Sequence, residues 1–406
     1  MEKNLIYKLK VAMLMIFVIA LPFENWDPFG ISSFFSVTKM AGVLYALFAL
    51  MSIKHSFDMK ISFPAVKIML LLWFWVGLQS VFNYWVGTKF PIFNITLLQN
   101  IILFWLITSD LIKNPKLFKY LYLAFIFGVL LMTSLASTGV GISLEYEYGL
   151  AGEARLSFFG ANPNVIGNFC SLSLILVAYL IMNNDRYFGK FSLLLLATVP
   201  TTLTIIGLSG SRGALGLVLV GLVGLFIVYK TSMMKKIIIM FVGVFALVFA
   251  VDKVLESDIM QRRLQKTFEE DDIGGRDRLW GNALEIFYDS PLFGSGSTGF
   301  ERKSLLMFGE FNDTHNVFLY FLVTGGVIAL FIYLLFLHKV FKSAWFVYKN
   351  QNETIMLVLL FIYLFAGFKS GGFINDKFMW FTISIVYASR YGLKTSEGNL
   401  TLMQQT

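Results

Sequence analysis

Apolar runs of roughly twenty residues recur from one end of the chain to the other, and the short stretches between them hold most of the Lys, Arg, Asp and Glu. A run of that length crosses hydrocarbon as a helix, because only backbone that is hydrogen-bonded within its own segment survives away from water. The pattern predicts twelve spans, at about 6–23, 32–53, 63–83, 92–112, 118–138, 161–183, 191–208, 213–229, 237–254, 315–338, 354–371 and 376–391. After the first, Ala20-Leu21-Pro22-Phe23 continues into Glu24 without a small-residue cleavage site, so a retained helix is expected there. One connection departs from the rhythm of short turns. Residues 255–314 form a segment with the acidic run Glu269-Glu270-Asp271-Asp272 near its centre, and a loop that long usually has a function. The expected division is therefore 1–254 with nine spans, 255–314 as an external loop carrying one short amphipathic helix, and 315–406 with three spans and a tail.

Composition agrees with the pattern. Of 406 residues 57% are hydrophobic and 14% charged, against about 45–50% and about 25% in soluble domains. An all-α polytopic membrane protein is predicted. With the N-terminus inside, the inner connections hold eighteen Lys and Arg, and the short outer ones hold five: Lys89, Arg155, Arg212, Lys369 and Lys377. That bias places both termini in the cytoplasm and accounts for the net charge of +8 without nucleic acid. A single cysteine, Cys170, excludes an internal disulfide framework, and three histidines leave little for a zinc centre. The chain has no Walker loop, GxGxxG, GxSxG or HExxH, which argues against ATP-driven transport.

Polar residues at the outer rim are the candidates for chemistry. Arg212 lies in Leu208-Ser209-Gly210-Ser211-Arg212-Gly213, a turn between two apolar spans, where a permanent charge must reach water or meet an anion. It suits a phosphate, or it is an ordinary interfacial arginine. Arg276 and Arg278 open a segment whose apolar positions Leu279, Trp280, Ala283, Ile286 and Phe287 follow helical spacing up to the turn Ser290-Pro291-Leu292-Phe293-Gly294. Two arginines at a helix start fit an anion site, or pair with Asp277, Glu269 or Glu270. His315, in Asn312-Asp313-Thr314-His315-Asn316, has the side-chain type that accepts a proton near neutrality, and Asp313 is placed to orient it. The other reading is a histidine bonded at a helix start. His55 and His338 read as topological, and Asn162 and Asn164 as helix capping.

Together these pieces resemble the O-antigen ligase and polymerase family of bacterial inner-membrane glycosyltransferases. The resemblance rests on Ser211-Arg212-Gly213, on Gly275-Arg276-Asp277-Arg278-Leu279-Trp280 leading to Ser290-Pro291-Leu292-Phe293-Gly294, and on His315-Asn316 followed by Gly326. In the ligase branch the position three residues after that glycine is Gly, Thr or Tyr; here it is Ala329. The resemblance implies a C-type-glycosyltransferase-like bundle, a donor glycan linked through diphosphate to undecaprenol, and an acceptor that is lipid A core or a second lipid-linked glycan. It implies no cofactor and no metal. Arg212 and Arg276 would hold the diphosphate, with Arg278 as the alternative second arginine and Asn316 as a further binding candidate, and His315 would be the base. The ligase is placed ahead of an O-antigen or exopolysaccharide polymerase. A flippase for the same lipids would instead require charged residues inside several spans and helices broken at mid-membrane.

Overall fold

A computed structural model describes residues 2–30, 36–146, 154–183, 188–229, 251–252, 254–269, 275–311, 313–369 and 372–392, with 234 and 248 as isolated positions. The helices are α1 (Glu2–Ala20), α2 (Val37–Met51), α3 (Phe63–Phe82), α4 (Ile95–Lys113), α5 (Leu117–Ser137), α6 (Pro163–Met182), α7 (Val199–Ser209), α8 (Arg212–Val228), α9 (Asp258–Glu269), α10 (Arg276–Tyr288), α11 (Gly296–Phe308), α12 (Val317–Gln351), α13 (Ile355–Gly367) and α14 (Lys377–Gly392). Several starts are set by a side chain that satisfies the orphan N–H groups of the first turn. Ser36 accepts from Lys39, Asn94 from Leu97, Asn162 from Asn164, Ser211 from Ala214, and Asn316 from Phe318 and Leu319.

Among the described residues, seven helical segments are long and apolar enough to cross a membrane: Leu5–Phe23, α3, α4, α5, α6, Gly189–Ser209 and α12. Shorter apolar helices, α2, α8 and α13, occupy three more of the predicted spans. The predicted span 237–254 lies almost wholly outside the described residues. At the centre is α14, which packs on α4, α12 and α13 and buries nearly its whole circumference. Its Trp380 and Tyr387 meet Phe104 of α4 and Phe336 of α12 in an aromatic cluster with centroids 5.5–6.3 Å apart.

The structure adds three features to the predicted pattern. The connection after α5 carries an antiparallel hairpin of β1 (Ile142–Tyr146) and β2 (Ala154–Phe158), with Ile142 opposite Phe158. The segment 255–314 holds three helices, α9, α10 and α11, where one was expected. The Gly-rich start of α11 reads as a turn. It is helical because it docks on α3, with Ser297 N donating to Ser80 Oγ (2.8 Å) and Thr298 Oγ1 to Ser80 O (2.8 Å). Buried Glu301 ties the same helix to the connection between α3 and α4, accepting from the Thr88 hydroxyl and from the Lys89 and Phe90 N–H groups.

The third feature is a break in α12. Gly326 has φ +68°, ψ −168°, which divides the helix into 317–325 and 327–351. The backbone of the 290–295 turn sits in the break: Val327 N donates to Pro291 O (2.9 Å) and Ser295 N to Val323 O (2.9 Å). Trp75 Nε1 takes Gly325 O at 2.9 Å. A break in a membrane helix is tolerable only where other groups satisfy the freed backbone. Here protein does so, so the break is filled and is not an ion site of the transporter kind.

Lys10 counts among the inner basic residues by sequence, yet it is fully buried. Its Nζ lies 2.5 Å from Asp110 Oδ1 and bonds Ser56 Oγ at 3.2 Å, while Tyr45 Oη donates to Asp110 Oδ2 at 2.7 Å. The group joins α1, α2 and α4 far from the rim that carries Glu24 and Asn94. Removing one partner of such a pair strands the other charge, at about 3–5 kcal/mol. Lys10→Met is therefore expected to lower the thermal unfolding midpoint in detergent by several degrees; an unchanged midpoint would show that the pair does not hold these helices.

Candidate active site

Four basic side chains from distant parts of the sequence meet at one end of the bundle. Arg212 is the first residue of α8, and its Nη1 donates to the Arg263 backbone oxygen of α9 at 3.1 Å. Arg276 is the first residue of α10 and lies within the field of Arg263. Lys369, just past α13, donates from Nζ to Gly213 O at 2.7 Å and lies within the field of Arg276. Burial holds the Arg276 guanidinium below its usual value, and the charge of Arg263 adds to this. Lys369 is pushed down to about 7, first by burial and then by Arg276.

The local sequence explains the Ser211-Arg212-Gly213 turn. Gly210, at φ +59°, ends α7 in the left-handed conformation that glycine adopts without strain. Ser211 caps α8 and also donates to Asn164 Oδ1 at 3.0 Å, which binds the turn to the start of α6. Gly213 leaves room for Lys369: a Cβ there would sit 2.5 Å from Nζ.

Residues 193–334 match the family model described as O-antigen ligase. That stretch, about a third of the chain, is similar to the O-antigen ligase family. No curated protein matches it. The family is one of glycosyltransferase-type membrane enzymes. The matched stretch holds Arg212, Arg263, Arg276, Arg278, His315 and Asn316 together with the broken helix at Gly326; Lys369 lies beyond it.

The matched segment places its candidate residues unequally. Arg278 points away from the cluster into an exposed ion pair with Glu310 (3.1 Å; side chains 65% and 49% exposed), a contact of small energetic value. Asn316 spends its Oδ1 as the cap of α12 and is buried. His315 is exposed and has φ +46°, a left-handed conformation that costs about 1–3 kcal/mol for a residue other than glycine and concentrates at functional sites. Thr314 Oγ1, donating to Asn316 O at 2.9 Å, holds the bend. The expected Asp313–His315 pairing is not made. Asp313 lies near Thr314 and acts on Asp376. The His315 segment adjoins the cationic cluster through Phe318, whose ring stacks 4.7 Å from Phe368, the neighbour of Lys369.

Sequence reasoning missed Arg263, Lys369 and a carboxyl group at Asp376. Asp376 is pushed well above the usual carboxylate range, chiefly by burial and then by Glu24, with Asp313 adding to it and Lys377 opposing. Glu24 itself is held by Lys377, Nζ to Oε1 at 2.5 Å. An apolar groove of about 520 Å³ lies between α8, α12 and α13, lined by Val220, Val223, Phe341, Val358, Phe361 and Leu364. Its lining on α8 begins at Val220, two turns in from Arg212, and runs to Val228 at the other end of the helix.

The cluster gathers like charges. A cation in the first turn of a helix opposes the macrodipole, at a cost of about 0.3–1 kcal/mol, and both Arg212 and Arg276 occupy that position. Among the described residues no carboxylate offsets the charges acting on Arg276 or Lys369. An anion arriving between the two helix starts meets their positive ends and the basic side chains together.

Proposed function

We propose that this protein transfers a glycan from undecaprenyl diphosphate to a sugar hydroxyl on the periplasmic face of the inner membrane, as an O-antigen ligase acting on lipid A core. The observation that carries the reading is the convergence of Arg212, Arg276 and Lys369 at the rim of a membrane bundle. The acceptor oxygen attacks the anomeric carbon as the bond from that carbon to the diphosphate oxygen breaks. The acceptor proton passes to His315, and the electron pair leaves with the lipid diphosphate. Charge accumulates on that leaving group in the transition state, where fixed guanidinium groups in a poorly hydrated site are most effective. A single displacement inverts the anomeric configuration.

Purified protein with a defined undecaprenyl-diphosphate glycan and a core acceptor tests the reading. His315→Ala is expected to lower transfer about 10²–10⁴-fold, the usual contribution of a general base, while the variant stays folded in detergent. Normal activity would remove His315 from the base role, and a product of retained configuration would defeat the single displacement. A deletion strain separates ligase from polymerase: polymerised glycan stranded on the lipid carrier is the ligase outcome, and single repeats attached to core the polymerase outcome.

A further inference from the structure

We propose that Lys369 is a third cation of the diphosphate site, charged by a proton that it takes up as the diphosphate arrives, and that Gly213 is a glycine in order to admit it. The inference rests on the diphosphate reading above and assigns to that site a residue outside the matched stretch. Its basis is geometric. Lys369 Nζ reaches the first turn of α8 and bonds Gly213 O at 2.7 Å, one residue from Arg212. Any β-carbon at 213 would stand 2.5 Å from Nζ, so a larger residue there displaces the lysine tip from Gly213 O. The ring of Phe365 lies 5.2 Å from Nζ.

The surrounding charges set the direction of proton movement. Arg276 acts on Lys369 from α10, Arg263 acts on Arg276 from α9, and Arg212, beside Gly213 at the start of α8, turns its guanidinium to the Arg263 oxygen. The loop before α12 contributes Asp313 and His315; Asp313 acts on Asp376 and Tyr320, and only Arg276 acts on Lys369 besides burial. With a value of about 7, the empty site holds Lys369 largely neutral at pH 8 and largely charged at pH 6. A doubly negative ligand reverses the balance by favouring the ammonium form. Binding above neutrality is then coupled to uptake of one proton, and affinity falls as pH rises.

A farnesyl-diphosphate-linked N-acetylglucosamine is a suitable probe, because a diphosphate diester does not itself titrate between pH 6 and 8. Calorimetric titration of the full chain in detergent, in buffers of different ionisation heat, reads protons taken up per ligand. The expected wild-type result is close to one proton at pH 8, close to none at pH 6, and about tenfold weaker binding at pH 8 than at pH 6. Lys369→Arg should bind without uptake and with pH-independent affinity. Lys369→Met should bind more weakly at pH 6, also without uptake. Gly213→Ala should reduce uptake by displacing the lysine tip, and alanine suits a helix there. Thermal unfolding checks that each variant is folded. Wild-type binding without proton uptake at pH 8, or uptake that persists in Lys369→Met, would overturn the role of Lys369 and leave the diphosphate reading standing. No binding of the probe at pH 6 would overturn both.

Discussion

Arg276→Ala is expected to reduce transfer on the order of 10²–10³-fold, the cost of removing one preorganised group that stabilises charge in a transition state. Arg278→Ala, two residues away, should leave the rate within about twofold. By sequence the two arginines are interchangeable. They differ because Arg276 is the first residue of α10 and turns toward Arg263 and Lys369, while Arg278 faces solvent and Glu310. Arg212→Ala belongs with Arg276→Ala in magnitude. Arg276→Lys should recover only part of the loss, since an ammonium cannot make the bidentate contact of a guanidinium with phosphate. Initial rates with a lipid-linked donor measure all four. Equal losses for Arg276→Ala and Arg278→Ala would mean that the exposed face of α10, and not the cluster, meets the donor.

Gly326→Ala is expected to cost at least about 3 kcal/mol and to prevent docking of the 290–295 turn into the break in α12. The added Cβ would lie 2.1 Å from Leu292 O and 2.3 Å from Leu292 C, and a backbone contact cannot be relieved by a rotamer change. Gly326 also has φ +68°, which alanine adopts only with strain. The opposing turn meets the same limit, because a Cβ on Gly294 would lie 2.4 Å from Gly325 N. These glycines let two backbones cross at the break in α12, which positions the helix start that follows His315. Gly281→Ala is the control. It lies in α10 with nothing within 4 Å of its Cβ position, so replacement should be neutral or stabilise by up to about 1 kcal/mol. Thermal unfolding in detergent separates the two. A Gly326→Ala protein with the wild-type midpoint would show that the turn does not sit in the break.

Much of this architecture is legible in the sequence because membrane spans are specified locally. α3, α5, α6 and α12 begin within two residues of their predicted starts, since hydropathy over twenty residues needs no tertiary information. Arg212, Arg276 and His315 are legible as polar residues at the rim. The features that escape are those made by distant partners. Lys369 reads as one outer basic residue among five; its distinction is a bond to Gly213, 156 residues earlier. Arg263 lies within a polar stretch, DIMQRRLQKTFE, and matters because its backbone oxygen holds Arg212. Asp376 gains its character first from burial and then from Glu24 and Asp313, which no sequence spacing connects. Lys10 misleads in the opposite sense, since a positive charge in the first helix reads as topology while its partner is Asp110 in α4. Gly326 stands out in the sequence, but its opposite number, Gly294, reads as an ordinary turn residue.

Determining the structure of the protein with an undecaprenyl-diphosphate glycan bound, in a lipid nanodisc, tests most directly whether the rim cations form the donor site. The diphosphate should lie within hydrogen-bond reach of Arg212, Arg276 and Lys369, with the anomeric carbon facing His315. A diphosphate held elsewhere, with those three side chains unengaged, would contradict it.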